Sequence, residues 1–190
     1  RNVSALCISY GQRHSLEVVV ARKIAEKANV SFKELDASLI SQLAPNSLTD
    51  SSITMDEEQP DGTFPNTFVP GRNLLFLTFA ATIAYSKNIS NIVIGVSEAD
   101  YSGYPDCRSD FIRSANATIN LAMESDFKIH TPLMSLDKAG VWQMADELGV
   151  FDIIKNDTLT CYKGVAGEGC GECPACKLRK KGHEQYLASR

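Results

Sequence analysis

Short apolar runs alternate along this chain with stretches in which apolar residues recur every three or four positions. Residues 3–9 are short and apolar, as a buried strand should be. Over 15–28, Val18, Val19, Ala21, Ile24, Ala25 and Ala28 fall at helical spacing, with Ser15 placed to cap them. Residues 32–35 predict a second strand, and 39–43 a helical turn ended by Pro45. From 46 to 71 the pattern breaks down, and 50–62 is a polar, acidic loop with little to bury. Loops of that length serve as lids or stay disordered, and this one is expected to order when substrate binds. A helix over 73–85, apolar on most faces, is expected to be well buried. A strand at 91–95, a loop to 108, a helix over 110–123 and a strand at 127–130 follow. Asp137 then caps a helix that runs to 148 and stops at Gly149, and 151–154 makes a short turn. The last helix, 174–187, opens on Pro174 in a favourable first-turn position. Strands alternating with helices imply βαβ units, hence an α/β fold with a mainly parallel sheet and helices on both faces.

The closing stretch changes the picture. Cys161, Cys170, Cys173 and Cys176 are spaced C-x8-C-x2-C-x2-C, with glycines between them that allow tight turns. A tetrahedral ion needs four soft ligands about 2.3 Å from one centre, and thiolates on such turns supply them. Zinc is the expected metal; an iron–sulfur cluster is the sharper rival, and buried thiols or disulfides are the plainer reading. Four cysteine ligands leave no open position, so the metal should be structural. We therefore expect a core over 1–156 and a small metal module over 157–190. With 44% apolar residues the chain can build a real core. No apolar run is long enough to cross a bilayer and nothing at the start reads as a signal peptide, so a cytoplasmic, reducing setting is expected. The net charge of −4 argues against a surface built for nucleic acid. The one basic stretch, 177–181, reads first as a solvated helix face.

The chemistry must then lie beyond the carboxyl ends of the strands, where ligands bind in such sheets. Tyr-Gly-Gln-Arg-His (10–14) follows the first strand and offers Arg13 and His14, whose plainer reading is a surface turn. Val-Pro-Gly-Arg-Asn (69–73) opens a helix, where free backbone N–H groups and Arg72 would favour an anion. Lys138 sits in a first helical turn, unfavourable to the helix dipole unless an anion lies nearby. The loop 97–108 holds three carboxylates, two tyrosines, a cysteine and an arginine in twelve residues. Planar heterocycles are held by stacking and by carboxylates that accept from N–H donors. Asp100 or Asp106 could read such an edge, and Tyr101 or Tyr104 could stack on it. Arg13, His14 and Arg108 are candidates for a substrate carboxylate. Cys107 has no base partner that sequence can assign, so it reads as a packing residue.

Six motifs occur in order: Tyr-Gly-Gln-Arg-His (10–14), Phe-Val-Pro-Gly-Arg-Asn (68–73), Ser-Gly-Tyr-Pro-Asp-Cys-Arg (102–108), Thr-Pro-Leu-Met (131–134), Leu-Thr-Cys-Tyr (159–162) and Gly-Cys-Gly-Glu-Cys-Pro-Ala-Cys (169–176). On these the chain resembles the 7-cyano-7-deazaguanine synthase (QueC, preQ0 synthase) family of queuosine biosynthesis over nearly its whole length. The resemblance implies an adenine-nucleotide α-hydrolase-like fold of the PP-loop type. It implies ATP-dependent conversion of 7-carboxy-7-deazaguanine and ammonia to the 7-cyano product, with magnesium beside the ATP. It also implies one structural zinc on Cys161, Cys170, Cys173 and Cys176. The partners it implies are small molecules, with no nucleic acid and no membrane, and a homodimer is left open.

Several positions depart from the family pattern. The signature Ser-Gly-Gly-x-Asp-Ser, expected on a unit before the first strand, is absent, and Arg1 opens the sequence without methionine, so an upstream piece is expected to be missing. Ser97, Ala99, Ser135 and Gly140 stand where cysteine, threonine, tryptophan and glutamate are common. Two rivals remain: another PP-loop enzyme of tRNA or nucleobase modification, and a non-catalytic zinc module that binds RNA through 177–181.

Overall fold

The first two strands expected from the sequence pair with each other. In the computed structural model, which describes residues 3–13, 16–43, 45–50, 52–54, 64–99 and 104–190, β1 (Ser4–Ser9) pairs in parallel with β2 (Ser31–Asp36), Ser4 opposite Ser31 and Ser9 opposite Asp36. Ser15, His14, Asp100, Tyr101 and most of the acidic loop lie outside the described residues. Helix α1 (Leu16–Lys27) joins the two strands and buries Val18 and Ala25. Glu17 in its first turn and Lys27 in its last suit the helix dipole. Arg22 ties α1 to β2, lying 4.6 Å from the Phe32 ring centre and 2.9 Å from Glu34.

The chain forms two compact units, Arg1–Phe68 with Lys138–Arg190, and Val69–Asp137. The first unit also holds α2 (Leu39–Leu43), α5 (Lys138–Glu147), α6 (Phe151–Asp157) and α7 (Pro174–Ser189). The sequence showed no pattern over 46–71, yet Asn46, Ser47 and Thr67 are buried there. Polar groups can sit inside because they satisfy one another. Ser47 donates its hydroxyl to Asn66 Oδ1 at 2.7 Å and its backbone N–H to Asn66 O, while Asn66 Nδ2 donates to Thr54 O. Arg13 closes the same loop, donating its backbone N–H to Leu48 O and its guanidinium to the carbonyls of Asp50 and Ile53.

Helices α5 and α7 approach closely because Gly182 has no side chain: a Cβ there would lie 2.3 Å from Lys138 Cβ and 2.9 Å from its backbone carbon. Around that contact Trp142 packs at a tilt against His183, ring centres 4.5 Å apart, and against Phe151 at 5.2 Å, and Tyr186 donates to Asp146 at 2.5 Å. His183 Nε2 is buried without a partner among the described residues. Burial first, then the charges of Lys155 and Arg179, hold the imidazole below its ordinary 6.5, with Glu168 and Glu184 opposing. A base held neutral in the fold but free to protonate when unfolded favours unfolding as pH falls. Its contribution is therefore complete above about pH 6.5 and is lost as pH drops through the folded value. His183→Leu should accordingly lose less melting temperature than wild type between pH 7 and 5, as thermal scans across that range would measure.

The second unit contains α3 (Arg72–Ser86), β3 (Asn91–Val93), a 3-10 turn (Pro105–Cys107), α4 (Ser109–Met123) and β4 (Lys128–His130). Strand β3 pairs in parallel with β4, Ile92 opposite Ile129. Its core joins Leu77, Ala81 and Ala84 of α3 to Ile92, Val96, Ile112, Ala115, Ile119 and Phe127. Fully burying Leu77 stabilises by about 2 kcal/mol. Helix α3 departs from its expected burial. Only the stripe Asn73, Leu77, Ala81 and Ala84 is buried, while Leu74 and Tyr85 remain 42% and 58% exposed. A two-stranded sheet and one packed helix cover one stripe, whatever the apolar content of the other faces. On the side of β4 away from β3, Asn116 and Asn120 of α4 bond the backbone of Phe127 and Ile129 at 2.7–3.0 Å.

No helix among the described residues is long and apolar enough to cross a membrane. The α/β class and the parallel pairing are as the sequence predicts, and α6 runs three residues beyond its expected end.

Candidate metal centre and substrate edge

In the first unit the four cysteines converge. Their sulfurs all lie within 4.8 Å of one another, and those of Cys170 and Cys176 are 4.0 Å apart. Four thiolates around one ion at about 2.3 Å would stand roughly 3.8 Å apart, so a small contraction closes the site. Sulfurs this close suit one ion rather than a cluster whose ligands hold different irons.

The turns are built for these contacts. Gly169 has φ +76°, and a Cβ there would sit 2.3 Å from Cys176 Sγ, so only glycine lets the chain pass. Lys163 N–H donates to Cys161 Sγ and Cys173 N–H to Cys170 Sγ, both at 3.3 Å. Cys173 stands at the start of α7 with Pro174 behind it, so Cys173 and Cys176 are delivered by one helical turn. The acidities within the cluster diverge. Backbone N–H groups of Cys173 and Glu172 bring the Cys170 thiol down to about 6. Burial, and then the Cys173 thiol, push Cys176 up to about 12. Burial also raises Cys161, but backbone bonds from Val165, Cys170 and Lys163 outweigh it and leave that thiol lowered. A bound cation offsets the mutual repulsion that keeps such a group from ionising together.

Arg179, within the basic stretch read as a solvated face, is instead engaged inside the unit. Its guanidinium donates to Thr158 and Thr160 hydroxyls at 2.8 and 2.7 Å and to the carbonyls of Ile154 and Lys155 at 2.7 and 3.0 Å. It also lies 5.2 Å from the Trp142 ring centre. Nothing in the local sequence distinguishes it from its lysine neighbours, because its partners lie some twenty residues upstream.

In the second unit the loops after β3 and β4 are laced together, since Ser97 donates its hydroxyl to Leu136 O and Glu98 its backbone N–H to Met134 O. Asp106 is 6% exposed, and its Oδ2 accepts the Asn73 N–H at 3.0 Å, in the first turn of α3. Asn73 Nδ2 returns the contact, donating to Asp106 O at 3.1 Å and to Cys107 Sγ at 3.4 Å. At the helix start expected to attract an outside anion, two of the first N–H groups are engaged within the unit, that of Arg72 with Val69 O and that of Asn73 with Asp106. Asn73, which sequence left without a role, is the hinge of this cluster. Asp106 Oδ1 is buried with no partner among the described residues. The Tyr104 carbonyl accepts the Cys107 N–H at 3.1 Å, and Arg108 stands at the N-cap position of α4 without a side-chain bond to the helix start. Glu98 accepts the Ser109 N–H at 3.1 Å, and that bond first, with Arg108 and Arg113 adding, holds its carboxyl below the usual range. Arg72, Tyr104, Asp106 and Arg108 belong to this unit, and Arg13 and Lys138 to the other.

A family model described as queuosine biosynthesis protein QueC matches residues 1–187. A 7-cyano-7-deazaguanine synthase of Parabacteroides distasonis is 65% identical over 186 residues, 97% of this chain and 83% of that protein. The synthase of the same name from Bacteroides fragilis is 59% identical over 190 residues, 100% of this chain and 87% of that protein. For Bacillus subtilis the identity is 56% over 188 residues, 99% and 85% of the two chains.

Proposed function

Because the chain belongs to the QueC family of queuosine biosynthesis proteins, we propose that it is a 7-cyano-7-deazaguanine synthase, an enzyme that makes a nitrile from a carboxylic acid and ammonia at the cost of ATP. The observation that carries this reading is the match from residue 1 to 187 to one family, with relatives of one name at 56–65% identity. A carboxylate does not become a nitrile unaided, because oxygen is a poor leaving group. ATP activates the acid of 7-carboxy-7-deazaguanine as a mixed anhydride, and ammonia displaces the activated oxygen to give an amide. A second activation of the amide oxygen lets it leave, with loss of the amide protons, as the nitrile forms. Such chemistry asks the protein mainly for alignment and for charge stabilisation on the departing phosphates.

Arg72 and Lys138 are assigned to phosphate or carboxylate charge, with magnesium accompanying the ATP. Asp106, a buried carboxylate with one oxygen unpartnered among the described residues, is assigned to the N–H edge of the deazaguanine. Asp100 shares that candidacy, Tyr101 or Tyr104 would stack, and Arg13, His14 and Arg108 would meet the substrate acid. Zinc on Cys161, Cys170, Cys173 and Cys176 fits the donor set and supplies folding free energy rather than bond making. We assign the architecture to the PP-loop type, with 1–156 as the reactive core, 157–190 as the zinc module and a cytoplasmic setting that keeps thiolates reduced. The purified protein, given 7-carboxy-7-deazaguanine, ammonium, ATP and magnesium, should form the 7-cyano product by mass spectrometry. Product appearing equally without ATP, or ATP consumed with no nitrile, would reject the reading.

A further inference from the structure

We propose that Arg179 is a positioning residue for the four-cysteine metal site, fastening the segment that delivers Cys161 to the helix that delivers Cys173 and Cys176. The inference rests on reading that cluster as a metal centre. Three of its four ligands lie within seven residues, and two of them share the start of α7. Cys161 alone arrives from a separate segment, nine residues before Cys170, so its approach has to be fixed by something other than the C-x-x-C turns. Among the described residues an exposed pair, Lys163 and Glu172 at 2.6 Å, reaches across that gap at the surface, and Arg179 spans it from the half-buried side. Arg179 stands three residues after Cys176, on the neighbouring position of the same helical face. Its planar fork reaches Ile154 O, Lys155 O, Thr158 Oγ1 and Thr160 Oγ1, the last of these on the residue before Cys161. A guanidinium holds several acceptors in fixed directions, which a lysine ammonium does not. Its permanent charge also lies near Cys176, and four thiolates around a divalent ion leave excess negative charge to offset. Partners that orient metal ligands commonly govern how long the ion stays.

The test uses the full-length, zinc-loaded protein and a chromogenic chelator. Arg179→Met should release zinc about 10–100-fold faster than wild type. Arg179→Lys, which keeps charge but loses the fork, should fall between them. Melting is then compared with and without zinc, because a residue that only packs helices would lower both forms equally. Gly182→Ala, which crowds Lys138 on the same helix pair, provides that comparison and should leave the zinc-dependent rise in melting temperature intact. Arg179→Met should shrink that rise. Release within about twofold of wild type, or an undiminished rise, overturns the proposal while leaving the metal centre standing. A wild-type protein that takes up no zinc overturns both. Should Arg179→Met fail to fold, Thr158→Val with Thr160→Val carries the same test, and unaccelerated release from that variant counts against the role equally.

Discussion

Cys173→Ser is expected to empty the metal site, taking zinc from about one ion per chain to nearly none. Cys173 is 4% exposed and opens α7, so the substitution removes a buried ligand, while the backbone N–H of residue 173, which serine keeps, goes on serving Cys170. Structural zinc sites bind with an apparent free energy on the order of 10 kcal/mol, most of which is spent ordering the loops that carry the ligands. If several kcal/mol of that is lost, a chain of this size should melt roughly 10 °C lower. Activity should fall as a consequence of unfolding, recovering at temperatures where the variant stays folded. Metal analysis and thermal scans decide it, together with colour. Wild type should be colourless, since a filled zinc shell does not absorb visible light. Iron found at cluster stoichiometry, or metal-free protein melting where wild type melts, would remove zinc from the account.

The second large effect belongs to Asp106. Asp106→Asn keeps the shape and an oxygen for the Asn73 N–H, so the fold should tolerate it at a cost of about 1 kcal/mol from the weaker interaction with the helix start. What changes is the second position, now able to present an N–H where the assigned substrate edge also presents one. Losing a hydrogen bond to a charged acceptor costs about 1.5–3 kcal/mol, which corresponds to about 10–150-fold in kcat/KM. The loss should appear mostly in KM, since the base edge does not react. A kcat/KM within about threefold of wild type, in a protein that melts normally, would take Asp106 out of substrate recognition.

Local patterns carried the elements further than they carried the partnerships. The strands, the extents of α1 and α4 and the cysteine spacing are local, encoded by residues a few positions apart, and were readable as such, although on α1 Val18 and Ala25 are buried while Val19 is left 42% exposed. Asn73 and Asp106 are thirty-three residues apart, and Arg179 is twenty-four or twenty-five residues from the carbonyls it grips. No periodicity signals such a pair, because what selects it is the tertiary proximity of two loops. The same limit explains the stretch over 46–71, where buried Ser47 is held by Asn66 rather than by an apolar pattern. In α3 the error ran the other way: composition promised burial on most faces, and burial depends on what there is to pack against.

The asparagines that flank β4 bear on how the protein behaves at high concentration. A strand whose outer backbone groups are unbonded is a template for another chain, the route by which sheets join into fibrils. Here Asn120 accepts the Phe127 N–H, Asn116 accepts that of Ile129, and both donate to Phe127 O. Side-chain amides thus stand in for the strand that would otherwise be recruited. Three outward backbone groups on that side of the strand are thereby closed to edge-to-edge pairing by two residues of its own packing helix.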